Sequence, residues 1–129
     1  MVAVATAYKL QEVARDIPES ETKRRREAFM SAGSSFERCG EIARSAEEES
    51  THYAAAARCY AEIKCHQDVV RALKLASMFT EAASYCFDNN LLESAVSIIK
   101  KYEAQVDLHT TECIKEVARM SYLESKDLE

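Results

Sequence analysis

Tryptophan is absent from this chain of 129 residues, proline occurs once, at Pro18, and glycine only at Gly33 and Gly40. A sheet protein of this length would use turn residues at every hairpin, so their scarcity argues against strands and for helices. Two glycines cannot build a phosphate-cradling loop, which removes nucleotide binding of the glycine-rich kind. No uncharged apolar run approaches the roughly 18 residues a membrane-spanning helix requires. The stretch Met1–Tyr8 has no basic residue ahead of its apolar part and meets Lys9 early, so it does not read as a secretion signal. Cys-x-x-Cys pairs are also missing, and the five cysteines, at 39, 59, 65, 86 and 113, have no framework spacing. An odd count in a secreted chain would strand a thiol, so reduced cysteines in an intracellular, cytoplasmic or nuclear, protein are expected.

What is present favours an all-α fold. The chain is 47% hydrophobic and 30% charged, and the residues between the aromatics are mostly good helix formers. At this length about two thirds of the unfolded surface can be buried, which suffices for a core without a second domain. The net charge of −5 is uneven, since residues 1–46 hold 8 basic and 7 acidic groups and residues 47–129 hold 9 and 15. The acidic second half would repel a nucleic-acid backbone. The run Lys23-Arg24-Arg25-Arg26 is the local exception, and reads either as an anion contact or as the solvated face of a helix.

Along the chain, apolar residues at helical spacing predict a first helix from Val2 to about Ile17, stopped by Pro18. Ser20 is the expected N-cap of a second helix that reaches about Cys39, with Gly40 as its terminator. Residues 43–50 read either as a short return helix or as a solvated connection, and the helix is the reading taken. Tyr53, Ala54, Ala56, Ala57, Tyr60 and Ile63 mark one face of the next helix. A turn at 64–67 follows, then Asp68 as the cap of a helix to about Ser77. Thr80 is read as the cap of a further helix, and Asn90 with Glu93 as a capping pair for Leu91 to Tyr102. Thr110 or Thr111 should open a last helix, with Ile114, Val117, Ala118, Tyr122 and Leu123 turned inward.

Four stretches can be superposed, Ser35–Ile42, Cys59–His66, Tyr85–Leu92 and Ser121–Leu128, with starts 24, 26 and 36 residues apart. They predict stacked helical hairpins, near 20–50, 51–77, 78–102 and an incomplete one over 110–129. The array is thus expected as a single helical-repeat domain over 1–129, a fragment of something longer. Its open end could self-associate through Tyr122, Leu123 and Leu128.

Ala56-Ala-Arg-Cys-Tyr60 with Val69-Val-Arg-Ala-Leu73, and Ala82-Ala-Ser-Tyr-Cys86 with Ala95-Val-Ser-Ile-Ile99, resemble the small-small-x-x-aromatic, turn, small-small sequence of tetratricopeptide-like hairpins. The resemblance covers about residues 28–128, without the family's 34-residue period or its tryptophan and proline positions. It implies an irregular, right-handed α-solenoid. The run from Arg26-Glu-Ala-Phe-Met-Ser-Ala to the final Asp-Leu is also similar to the helical-repeat region of large eukaryotic tetratricopeptide and ankyrin repeat-containing proteins that carry a superfamily-I helicase-like ATPase.

The resulting expectation is a non-enzymatic protein-interaction scaffold, with a protein or peptide partner, no membrane contact and no cofactor. The alternative is an accessory helical domain of such an ATPase, without catalytic residues of its own, that positions the motor or touches its substrate through Lys23 to Arg26; under the leading reading nucleic acid is not an expected partner. Cys59, Cys65 and His66, with His52 or Cys39, do not converge on a helix, so no metal site is expected. A Cys/His catalytic pair has no motif behind it. Partner-facing positions are expected on the non-packing faces of first helices, at Arg58, Glu62, Ser84 and Asp88.

Overall fold

The computed structural model describes the backbone of residues 2–128 and the side chains of residues 3–122. Among the described residues it is all-helical: α1 (Val2–Asp16), α2 (Thr22–Glu41), α3 (Ala46–Glu62), α4 (His66–Leu75), α5 (Phe79–Asp88), α6 (Leu92–Tyr102), a 3-10 turn (Glu103–Gln105) and α7 (Leu108–Leu128). None of these helices is long and apolar enough to cross a membrane. The chain forms two compact units, one running to Met78 and one from Phe79.

In the first unit α2 pairs with both α1 and α3, and α3 with α4. The most extensive pairing, α2 on α3, explains both glycines. A β-carbon at Gly33 would lie 2.5 Å from the Tyr60 ring, and one at Gly40 would lie 2.8 Å from the Tyr53 ring. Each glycine is the hole into which one tyrosine fits, and seven residues separate the two members on either helix, so the helices run antiparallel with the rings two turns apart. Gly40 is therefore not a terminator: α2 continues through it to Glu41. Tyr60 is buried, with 1% exposure, and Phe29, Phe36, Cys39 and Cys59 of the same two helices are buried as well. Tyr8 of α1 meets Phe36 edge-on, with centroids 5.1 Å apart.

Several helix starts differ from the sequence expectation. Ser20 does not cap α2, whose first residue is Thr22. Residues 46–50 are no separate return helix but the first turns of α3. Ser45 caps it by accepting the Glu48 N–H at 3.1 Å, while the Glu48 carboxylate accepts the Arg44 N–H. Asp68 lies inside the first turn of α4, where it pairs with Arg71 at 2.8 Å. Thr80 lies inside α5, and its hydroxyl accepts the Asp107 N–H at 2.8 Å. Asp107, not Thr110 or Thr111, caps α7, since its carboxylate accepts the Thr110 N–H at 3.2 Å.

Helix ends follow one design that the sequence did not display. Lys64, Ser77 and Asn90 each take positive φ, of 55°, 59° and 62°. After each, an N–H reaches back five residues: Cys65 to the Tyr60 carbonyl, Met78 to Leu73 and Leu91 to Cys86, at 3.1, 2.9 and 2.8 Å. These are Schellman endings, which satisfy carbonyls that the helix leaves without partners. Asn90 therefore ends α5 rather than pairing with Glu93 to open α6, whose cap residue Leu91 makes no side-chain cap bond. Asn tolerates the left-handed conformation because its short polar side chain bonds locally.

The three endings lie thirteen residues apart, as do the first residues of α4, α5 and α6. The buried positions keep the same step: Ala56, Val69, Ala82 and Ala95 form one series, and Tyr60, Leu73, Cys86 and Ile99 another. The two series are four residues apart, one turn of helix, so each helix from α3 to α6 presents the same pair of positions inward. The 26-residue interval between Cys59 and Tyr85 is twice this step. In the second unit α5 packs on α6, and α7 packs on both. Phe79 stacks on Tyr102 with centroids 4.0 Å apart.

Candidate interaction surface

The four residues named from sequence fall into two pairs, one per unit. Arg58 and Glu62 are one turn apart on α3 and both exposed, whereas Ser84 and Asp88 are one turn apart on α5, the first half-buried and the second exposed. Glu62 already has a partner, since Arg25 Nη2 lies 3.1 Å from its carboxylate and Arg25 Nη1 donates to its main-chain carbonyl. Arg58 and Asp88 leave their charges to solvent, which suits a polar contact on either helix.

The basic run at the start of α2 is used in folding. Arg25 lies over the Phe29 ring at 4.8 Å as well as bonding Glu62. Arg26 donates to the Ile63 carbonyl at 3.4 Å and to Cys65 Sγ at 3.2 Å, and Arg24 pairs with Glu21. Two guanidinium groups thus sit on the carbonyl end of α3, where the helix dipole and the orphan carbonyls favour cations. The anion-contact reading of Lys23 to Arg26 loses two of its four charges to this role.

No disulfide joins any of the cysteines. Cys39, Cys59 and Cys86 are buried among apolar side chains. Burial raises the Cys39 thiol and pushes the Cys59 thiol up to about 11, even though Arg15 and Arg58 and a bond from Gln11 act in the opposite sense. A thiol kept protonated in this way is a poor nucleophile. Burial also raises the Tyr53 and Tyr60 hydroxyls. On α7, exposed Cys113 lies 3.7 Å from His109 Nε2. Among the described residues no three His, Cys, Asp or Glu side chains gather as a metal-binding group.

The feature sequence reading missed is the outer surface of α7. That helix buries only Thr111 and Ile114 among its described side chains, and from Arg119 to Tyr122 every one is exposed. Tyr122, expected inside, is 67% exposed, and Val117 is 41% exposed. The side chains of Leu123 and Leu128, the other members of the expected self-association patch, lie outside the described residues. Tyr122 continues by spacing the inner stripe of Thr111, Ile114 and half-buried Ala118, but it lies past Ala118, the last of the described side chains of α7 that is not exposed. At 100° per residue Val117 and Met120 turn away from that stripe, Met120 by nearly half a turn, whereas Leu108 borders it. A broad surface depression of the second unit is lined by Phe87 of α5 and by His109, Glu112, Cys113, Glu116 and Val117 of α7.

No family model, no curated protein and no solved structure matches this chain.

Proposed function

We propose that this chain is a non-enzymatic protein-interaction module built from tetratricopeptide-like helical hairpins, and that it acts as a scaffold within a larger intracellular protein. The observation that supports this reading best is the exposure of Leu108, Val117, Met120 and Tyr122 on one helix, 41% to 71%, beside a depression floored by Phe87 and Val117. Exposed apolar surface flanked by charge marks a site for a protein partner more often than for a small substrate. An amphipathic helix or an extended peptide is the ligand such a groove accepts. The polar pairs Arg58/Glu62 and Ser84/Asp88 add contacts that set specificity on α3 and α5.

The absence of disulfides between five cysteines fits a reducing compartment. The alternative, an accessory domain touching the substrate of a helicase-like ATPase through Lys23 to Arg26, is weakened because Arg25 and Arg26 hold α2 against the end of α3.

Quantitative affinity capture tests the reading with three baits: the native chain, Arg58→Glu with Asp88→Lys, and Val117→Asp with Met120→Asp. A partner retained by the native chain and lost from the α7 variant is the expected result. Loss from the charge-reversed variant alone would move the site to α3 and α5, and equal recovery by all three baits would overturn the proposal.

A further inference from the structure

We propose that His109 and Cys113 form a two-ligand site for a borderline-soft divalent cation of the Zn2+ class on the outer face of α7. The two residues are four apart, so the helix places their side chains on one face. His109 Nε2 and Cys113 Sγ lie 3.7 Å apart. A tetrahedral zinc ion with Zn–N of about 2.0–2.1 Å and Zn–S of about 2.3 Å requires its donors to be about 3.6 Å apart. The pair therefore already stands at the donor–donor separation that one such ion requires.

The surroundings favour a cation. Both ligands are exposed, unlike Cys39, Cys59 and Cys86, so an ion can reach them. Glu112 and Glu116 flank them in the same depression. The two cations that share that depression are each drawn to a carboxylate: Lys115 to Glu103 at 2.7 Å and Arg119 to Glu116 at 2.6 Å. Imidazole and thiolate together select zinc-like ions over magnesium or calcium, which take oxygen donors.

No third ligand gathers here among the described residues, so the ion keeps water at its other positions and the site is open and exchangeable, unlike a four-ligand structural centre. On binding, the Cys113 S–H proton passes to water, the S–metal bond forms, and the neutral imidazole donates its Nε2 lone pair.

Cadmium titration of the full chain tests this, because a thiolate–cadmium bond gives a charge-transfer absorption that other ligands lack. The expected result is one equivalent bound by the native chain, loss of the band in Cys113→Ser, and at least tenfold weaker binding in His109→Gln. Cys65→Ser, which removes the other thiol that is not buried, leaves the band unchanged. Circular dichroism of each variant verifies the fold, and Zn2+ competition against a chromophoric chelator repeats the ranking without relying on the band. No band in the native chain, a band that survives Cys113→Ser, or an affinity indifferent to His109→Gln would each overturn the site. The last outcome would leave His109 and Cys113 as no more than a hydrogen-bonded pair.

Discussion

Replacing Gly33 with alanine sets two effects of known sign against each other. Within a helix, alanine is favoured over glycine by about 1 kcal/mol, so at an open position the substitution stabilises. At Gly33 the added β-carbon would stand 2.5, 2.7 and 3.0 Å from three ring carbons of Tyr60. Carbon atoms prefer separations of about 3.5–4.0 Å, so the ring or the helix must retreat by about 1 Å. The ring cannot swing into solvent, because Tyr60 is 1% exposed and enclosed by the core of the first unit. Overpacking of this kind costs about 1–3 kcal/mol, and the displacement needed puts this site at the upper end, near 3. Subtracting the helical gain leaves a net loss of about 2 kcal/mol, or roughly 6–10 °C in melting temperature for a chain of this size.

Urea denaturation by circular dichroism measures the loss, and hydrogen exchange of α2 amides assigns it to the first unit. Tyr60→Leu supplies the second side of a double-mutant cycle, since it removes the ring that the new methyl would strike. In that background Gly33→Ala should become neutral or stabilising, giving a coupling energy of about 2–3 kcal/mol between positions in direct contact. A Gly33→Ala variant as stable as the native chain, or one equally damaged with and without the Tyr60 ring, would refute the hole-and-ring account of the α2–α3 pairing.

Four further outcomes follow from the same structure. Ser45→Ala should cost about 1 kcal/mol by leaving the Glu48 N–H without its acceptor, read as a lower urea midpoint, and Asp107→Ala should do the same at α7. Ser77→Gly should stabilise by about 1 kcal/mol because its φ of 59° penalises any residue with a β-carbon, while Ser77→Val should destabilise; the reverse order would contradict the Schellman ending. The stability that the Cys59 thiol contributes should be constant below pH 9 and fall between pH 9 and 11, because that thiol is raised from 9.0 to about 11 in the folded chain and the unfolded chain therefore loses its proton first. Cys59→Ala should make that decline shallower, by on the order of 1–2 kcal/mol over the window in pH-resolved denaturation. Finally, thiol alkylation near neutral pH should label Cys113 long before Cys39 or Cys59, as peptide mass mapping would show.

The spacing of Val4, Ala7, Leu10, Val13, Ala14 and Ile17 marked the first helix, and of these Ala7, Ala14 and Ile17 are buried while Val13 is 46% exposed; Pro18 marked its end, because both signals are local. Capping was poorly legible: Ser20, Asp68, Thr80 and Asn90 all have the right chemistry for a cap, yet Ser45 and Asp107 hold the cap bonds at α3 and α7. A capping side chain is chosen by where the helix stops, and tertiary packing set those limits. The Lys23–Arg26 run could be read as a charged face, but the acceptors of Arg25 and Arg26 on Glu62 and Ile63 lie 37 residues away in sequence and come near only through the α2–α3 pairing.

Sequence alone determined that the chain would be helical, because a dearth of glycine and proline and an apolar period near 3.6 leave no other economical way to satisfy backbone hydrogen bonds. It also determined which residues could be small, aromatic or charged. Only the tertiary structure decided what the two glycines are for, since Gly33 and Gly40 carry no side chain to announce that Tyr60 and Tyr53 must fit against them. Likewise, the thirteen-residue rhythm of helix endings rests on backbone dihedrals at a lysine, a serine and an asparagine, residue types with no shared chemistry. Whether Tyr122 is core or surface depended on whether a neighbour reaches that turn of α7, which is a property of packing and not of the residue.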